Sequence, residues 1–385
     1  MLFLFSGATG LVYELVWTRD LYQFFGSTIH SITTVVAAYM GGLGLGAYVL
    51  GRLADRKANP ARLYGLLEIG IGIFGLASAW TLDLVGLSYL GVARVLAPGL
   101  WLGSAIKFVF AFTVLLVPTF LMGGTLPVLT RAFAGAGLGQ FRRQLALFYG
   151  LNTLGGVVGC ALAGYVLIEH VGLKGTLQGV GVLNLLLGGA ALLLTRGGAT
   201  EAVASPEEET ETPEPTIEPA DGRTRRLALA LIAVTAFAAL LYEIAWTRVL
   251  VLVVGSSTYA FTTILAAFLA GIGLGSLFAV GRGRPARELL LGAAYVQAGI
   301  AVTASLLFPF FRGLPVYIVA TMQVGFLSAV DLLSLHALAV IVVVLPAAVG
   351  MGVSFPLLAE LAAGREGGTG GEAGRAYFAN TIGSI

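Results

Sequence analysis

Long runs of apolar residues, separated by short polar stretches, form the dominant pattern along this chain. A run of about 20 apolar residues is long enough to cross the hydrocarbon core of a bilayer as one α-helix. The pattern therefore predicts an all-α integral membrane protein. The predicted spans cover residues 2–25, 29–51, 63–85, 105–129, 145–168, 175–195, 227–254, 258–280, 286–308 and 332–363, with an eleventh beginning at 376.

Three segments between the spans differ from the usual short loops. Residues 86–104 and 309–331 mix apolar and polar side chains, and we expect short amphipathic helices at the membrane interface there. Residues 197–226 contain the acidic, proline-rich stretch EEETETPEPTIEPAD, which cannot bury enough apolar surface to fold. We predict a disordered linker between a first unit, 1–196, and a second unit, 227–385.

The composition agrees with a chain whose main partner is the lipid bilayer. Hydrophobic residues make up 57% and charged residues 11%, whereas soluble domains carry about 25% charged residues. The formal charge of +2 and the lack of a basic, aromatic-interleaved patch argue against a nucleic-acid partner. Cys160 is the single cysteine, which excludes an internal disulfide and a thiolate metal cluster.

The distribution of lysine and arginine predicts the orientation of the chain in the membrane. Sixteen of the 22 basic residues fall in loops on the same side as the N-terminus and the 197–226 linker. Cytoplasmic loops carry the excess of these residues, so both the N-terminus and the linker are expected to be cytoplasmic.

An internal repeat with an offset of 229 residues connects the two units. LVYELVWTR at 11–19 returns as LLYEIAWTR at 240–248, and GLGLG at 42–46 returns as GIGLG at 271–275. A constant offset over this much sequence indicates a duplication. Each unit is built on six spans, an even number, so the halves run in the same sense. Parallel six-helix halves of this kind are the plan of the major facilitator superfamily.

The segment GRLADRK at 51–57 resembles the cytoplasmic G-x-x-x-D-R motif of that superfamily. Gly51, Asp55 and Arg56 match the motif, while the later glycine and arginine of the family pattern are missing. The resemblance implies that these three residues stabilise one conformation of the halves rather than contact a substrate.

Longer stretches resemble the membrane part of bacterial fused transporter-like/spermidine synthase proteins. They are SGATGLVYELVWTR, GSTIHSITTVVAAYMGGLGLGAYVLGRLADR, YGLLEIGIG and the Met-Gly-Gly-x-x-Pro of span four. In that family a twelve-span domain precedes a soluble aminopropyltransferase domain. The resemblance implies a multi-pass module of the bacterial inner membrane that anchors the enzyme and handles a polyamine-type substrate. The chain ends inside span eleven, so we expect no catalytic residue and no cofactor within it.

Two glutamates, Glu14 and Glu243, lie near the middle of spans one and seven at the same repeat position. A charge at mid-bilayer costs at least about 2.5–3.5 kcal/mol, so such a residue normally faces protein or water. Arg19 lies about 140° round the helix from Glu14 and about 7.5 Å along it, which disfavours a salt bridge within the helix. We expect Glu14 to share its face with Trp17 and to find a partner outside its own helix.

Two interpretations of these glutamates stay open. The superfamily plan implies that spans one, four, seven and ten line a central cavity, where two carboxylates suit a cation with spaced amines. Alternatively, the glutamates form buried ion pairs with Arg19, Lys107 or Arg248 that hold helices together. The first interpretation gives as candidate substrate-binding residues Glu14, Glu243, Trp17, Trp246, Lys107 and His336.

The remaining unusual residues have structural explanations. We expect Glu68 in span three to hydrogen-bond a neighbouring helix, because its repeat counterpart, Gln297, keeps hydrogen bonding without charge. Small residues one turn apart let helices pack closely, as we expect of Gly42, Gly46, Gly271 and Gly275. The three histidines are too dispersed for a metal site.

Three functions fit this sequence. The resemblance favours a membrane module of a spermidine-synthase-like protein that anchors the enzyme and moves or delivers a polyamine. An autonomous secondary transporter of a small solute is the second, and a structural membrane scaffold is the third.

Overall fold

The computed structural model describes residues 1–26, 28–133, 138–196, 220–254, 258–280, 285–323, 329–363 and 368–385. Within these ranges the chain is helical and forms no strand, which confirms the all-α prediction. A π-helical turn, Ala163–Leu167, joins α5 to α6. The helices are α1 (Leu2–Phe25), α2 (Ile29–Asp55), α3 (Pro60–Leu96), α4 (Leu100–Phe133), α5 (Leu138–Leu162), α6 (Ile168–Arg196), α7 (Gly222–Val254), α8 (Thr258–Phe278), α9 (Ala286–Met322), α10 (Ala329–Ala362) and α11 (Thr369–Gly383).

Eight stretches of the described helices are apolar and long enough to cross a membrane, and together they cover α2 to α10. The shorter α11 is not among them, and neither is α1, which carries Glu14 and Arg19. The protein is therefore a multi-pass helical membrane protein, in a bilayer environment.

Two predicted interfacial segments belong to long helices. Residues 86–96 continue α3 until Ala97, whose positive φ of 41° ends the helix, and α4 begins at Leu100. Residues 309–322 likewise continue α9, with Pro309 and Pro315 inside it. The prediction of separate short helices is wrong for these parts, because their polar residues do not interrupt the helical backbone.

The predicted helix starts near the linker and in span eleven also shift. Residues 197–219 lie outside the described part of the chain, and α7 already begins at Gly222, before the predicted start at 227. The last predicted span, α11, begins at Thr369 rather than 376. Hydropathy misses its first turn because that turn contains Glu372 and two glycines.

The helices pack as two halves. In the first half α2 packs against α4 and α3 against α6; in the second, α8 and α9 pack against α10. The halves meet where α2 packs against α11 and α5 against α8, two contacts that the repeat relates to each other. This is a major facilitator-like arrangement. Because α1 and α7 are not packed against each other, a space remains between them at the centre.

Glycines allow the closest helix approaches inside each half. A Cβ on Gly46 of α2 would lie 1.9 Å from the carbonyl oxygen of Phe120 in α4. At the equivalent place, a Cβ on Gly275 of α8 would lie 2.0 Å from the carbonyl oxygen of Val349 in α10. Gly42 and Gly271, one turn earlier, meet Thr119 and Ala348. The backbones therefore touch at these positions, and no side chain fits between them.

Candidate functional site: a central cavity and a closed end

A cavity of about 270 Å³ lies between the halves. Glu14 of α1 and Glu243 of α7 both line it, and the two carboxylates are close enough to repel each other. Neither belongs to any of the ion pairs in the described part of the chain. The cavity thus brings two carboxyl groups together at the centre of the helix bundle.

The wall of this cavity follows the internal repeat. Most lining positions in one half have a lining counterpart in the other half. Because the same repeat positions line the cavity in both halves, the cavity lies on the pseudo-twofold axis that relates the halves. Besides the two glutamates, the polar counterparts that are identical in both halves are Tyr149 and Tyr377, Asn152 and Asn380, and Thr153 and Thr381.

No lysine, arginine or histidine lines the cavity in the described residues. The polar groups around the two carboxylates are hydroxyls and amides, which donate or accept hydrogen bonds as needed. The described wall therefore offers a bound molecule two carboxyl groups, aromatic rings and neutral hydrogen-bonding groups. Such a wall suits a cation and disfavours an anion.

The two candidate tryptophans do not line the cavity. Trp17 is buried, its indole Nε1–H donates a 3.0 Å hydrogen bond to Ser78 Oγ, and its ring stacks on Tyr13. Trp246 is buried against Tyr242 and Phe268. We expected Glu14 and Trp17 to lie on the same face of α1. Only Glu14 lines the cavity, because the Trp17 indole hydrogen-bonds to Ser78 of α3.

The other two candidate substrate-binding residues lie elsewhere. The Lys107 ammonium donates a 2.8 Å hydrogen bond to Ser31 Oγ, near the end of the bundle opposite the linker, and it does not line the cavity. The side chain of His336 lies outside the described residues. Of the six candidates, the structure therefore brings together Glu14 and Glu243.

The superfamily-like motif lies at the end of the bundle that holds the linker, here called the linker end. Asp55 accepts hydrogen bonds from the backbone N–H groups of Gly370 (2.9 Å) and Gly371 (2.7 Å) at the start of α11. A Cβ on Gly51 would lie 2.5 Å from the Gly370 carbonyl oxygen, so α2 and α11 touch. Arg56 is exposed, and the cation beside Asp55 is Arg131, at 3.4 Å.

An ion pair also joins the halves at the linker end. Arg142 of α5 lies 2.9 Å from Glu360 of α10, and both side chains are largely buried. Arg131 and Glu360 occupy the same repeat position with opposite charge. In the sequence, Arg131 and Arg142 are only two of the sixteen basic loop residues on the side of the linker. Their partners Asp55 and Glu360, far away in the chain, were not predictable from local spacing.

A buried polar cluster borders the first half of the cavity and consists of Ser6, Glu68 and Asn184, here called the Glu68 cluster. Ser6 Oγ donates a 2.5 Å hydrogen bond to Glu68 Oε1, and Asn184 Nδ2 donates a 2.6 Å bond to Oε2. Glu68 therefore bonds to two neighbouring helices, α1 and α6. Its repeat counterpart Gln297 donates to Ser354 of α10 instead.

No family model matches the chain, and no curated protein matches it. Among solved structures it is similar to a crystal structure of an auto-inhibited POT family peptide transporter. The two share 13% sequence identity over 99% of this chain and 86% of that one, with a TM-score of 0.40. This likeness is too distant to bear on a ligand. The helices and their pairing across the halves make the chain a multi-pass membrane protein of major facilitator-like fold.

Proposed function

We propose that this chain is the membrane module of a spermidine-synthase-like protein and that its central cavity binds a polyamine-type cation. The observation that carries the proposal is the pair Glu14 and Glu243. Both line one cavity, and no basic side chain lines it in the described residues.

The electrostatics favour a ligand with two positive charges. Two carboxylates close together in a membrane interior repel each other, and each loses much of its hydration. One ammonium group neutralises one carboxylate, whereas a diamine neutralises both. The Tyr149 and Tyr377 rings in the wall add aromatic faces of the kind that attract ammonium groups.

The closed linker end supports a role in moving the cation rather than only holding it. Asp55 with the start of α11, and Arg142 with Glu360, join the halves on one side of the cavity. These contacts are electrostatic and hydrogen-bonded, so they can separate without exposing a large apolar surface. Rocking of the halves would then open the cavity to the linker side.

The test compares two matched ligands on purified protein. We expect putrescine, a diamine, to bind at least about tenfold more tightly than butylamine, which corresponds to about 1.4 kcal/mol for the second charge. Glu14→Gln and Glu243→Gln keep the side-chain shape, so each is expected to reduce putrescine affinity to the butylamine level. Isothermal titration calorimetry measures both, and the exposed Glu288→Gln serves as the matched control.

The alternative functions give different results. A structural scaffold predicts no amine binding up to millimolar concentrations and a lowered thermal transition in both glutamate variants. An autonomous transporter of another solute predicts an intact thermal transition and no preference for the diamine over the monoamine. Either result would refute the polyamine proposal.

A further inference from the structure

Glu68 is a fully buried carboxyl with no cation beside it in the described residues. Its exposed fraction is 0%, and none of the described ion pairs includes it. Two neutral groups, Ser6 and Asn184, donate to its two oxygens. Burial of an ionised carboxylate without a counter-charge is so unfavourable that such a group normally takes up a cation or a proton.

The neighbours of Glu68 are groups that can exchange donor and acceptor roles. A serine hydroxyl donates one hydrogen bond and also accepts, so Ser6 can bond to either form of the carboxyl. The amide oxygen Oδ1 of Asn184 is buried and has no hydrogen-bond partner. A half-turn of this amide would place Oδ1 where Nδ2 now lies, and Oδ1 would accept a hydrogen bond from a protonated Glu68.

The other titratable groups that face Glu68 are two tyrosines. Tyr64 precedes it by one helical turn on α3, and the buried Tyr64 hydroxyl faces Ser6 and Glu68. Tyr13 of α1 faces it from the adjacent helix. In the described parts of α4 and α6, no charged side chain acts on Glu68. The surroundings therefore supply hydrogen-bonding groups but no fixed positive charge.

We propose that the Glu68 cluster is a proton-binding site, in which the Glu68 carboxyl holds a proton at neutral pH and exchanges it with the central cavity. Ser6 and Asn184 both line the cavity, whereas Glu68 lies behind them. A hydronium ion in the cavity gives its proton to the Ser6 hydroxyl as that hydroxyl passes its own proton to Glu68, and a water molecule is left behind. The step is a simple protonation: the carboxylate gains a proton and donates its new O–H to Asn184 Oδ1 or Ser6 Oγ.

The inference goes beyond the proposed polyamine site, because it concerns a different carboxyl and a different ion. Glu14 and Glu243 line the cavity directly and are assigned to the ligand. Glu68 belongs to the first half alone, since Gln297 at the equivalent position cannot carry a proton in this way. The cluster thus gives the cavity a proton site on one side only.

Infrared spectroscopy of the purified protein without any amine tests the proposal. A neutral carboxyl has a C=O stretching band that a carboxylate lacks, and an ordinary glutamate, with a pKa of about 4.3, is ionised at about pH 7. In a background of Glu14→Gln and Glu243→Gln, which removes the cavity carboxyls, we expect a band at neutral pH that Glu68→Gln removes and that Glu288→Gln, a matched exposed change, leaves intact. Persistence of the whole band in Glu68→Gln would overturn the proposal.

Two further measurements keep the test decisive if Glu68→Gln fails to fold. Ser6→Ala removes a hydrogen bond to the carboxyl and is expected to shift the band, whereas an unshifted band contradicts the assignment. Adding sodium chloride to the low-salt buffer is expected to leave the band unchanged. Loss of the band in sodium would identify a metal-cation site and refute proton binding. Because no amine is present, these results do not depend on the cavity ligand.

Discussion

The Nη1 atom of Arg142 lies 2.9 Å from Oε1 of Glu360, and this ion pair joins α5 of the first half to α10 of the second. Its two side chains are only 7% and 11% exposed. At such low exposure the pair is screened little by water or salt. The linker end is therefore held by an ion pair in which each buried charge is neutralised by the other.

Removal of one member of this pair is expected to destabilise the closed linker end. Glu360→Gln leaves the Arg142 guanidinium buried without its counter-charge, a change that costs about 3–5 kcal/mol in comparable buried pairs. We expect a lowered thermal transition in detergent. In a double-mutant cycle, the swap Arg142→Glu with Glu360→Arg should be more stable than the sum of its two single changes predicts. Strictly additive effects of the two changes would contradict this coupling.

Asp55→Asn is expected to weaken the contact between α2 and α11. The carboxylate accepts from two backbone N–H groups at a helix N-terminus, where a negative charge is favourable, and the amide has one acceptor oxygen and no charge. A cysteine at the buried position of Ala54, in a Cys160→Ala background, measures opening of the linker end. Its labelling by a polar maleimide should become several-fold faster.

Asp83→Asn is the matched control for this change, because Asp83 pairs with Lys174, a largely exposed partner. The control is expected to leave the labelling rate at Ala54→Cys unchanged. Equal rates in the Asp55→Asn variant and the parent would show that the motif does not hold the linker end closed.

Gly46→Ala is expected to lower stability because the new methyl group would overlap the α4 backbone at Phe120. Overpacking of this kind costs about 1–3 kcal/mol. Gly299→Ala is the control, since Gly299 is an exposed helical glycine with open space around it. Thermal unfolding should show a loss for the first variant and no loss for the second; a loss in neither would mean that α2 and α4 can separate at low cost.

The 201–221 segment is predicted to lie in the cytoplasm. In a Cys160→Ala background, a cysteine in this segment should not react with an impermeant thiol reagent added to intact cells. A cysteine at Gly99, in the connection between α3 and α4 at the opposite end, should react. The reverse pattern would invert the orientation of the whole chain.

Hydropathy predicted most of the helices, and the 229-residue offset related Glu14 to Glu243, because both are regular signals along the chain. It did not predict that Trp17 turns away from the cavity, since Trp17 lies about 60° from Glu14 round the helix and only tertiary packing decides which direction is the cavity. The partners of Arg131 and Arg142 depend on contacts between distant segments, which spacing along the chain does not reveal.

The cavity wall departs from its near-twofold pattern where Tyr39 of α2 corresponds to Phe268 of α8. The Tyr39 hydroxyl donates to the Gly10 carbonyl at 3.2 Å, and the phenylalanine ring has no such group. Glu68 behind one wall and Gln297 in the other add to this difference. An elongated solute with unlike ends would therefore bind in two orientations of unequal energy. Two positional isomers that carry the same substituent at opposite ends would therefore bind with different affinities. The two carboxyl groups alone would give them equal affinities.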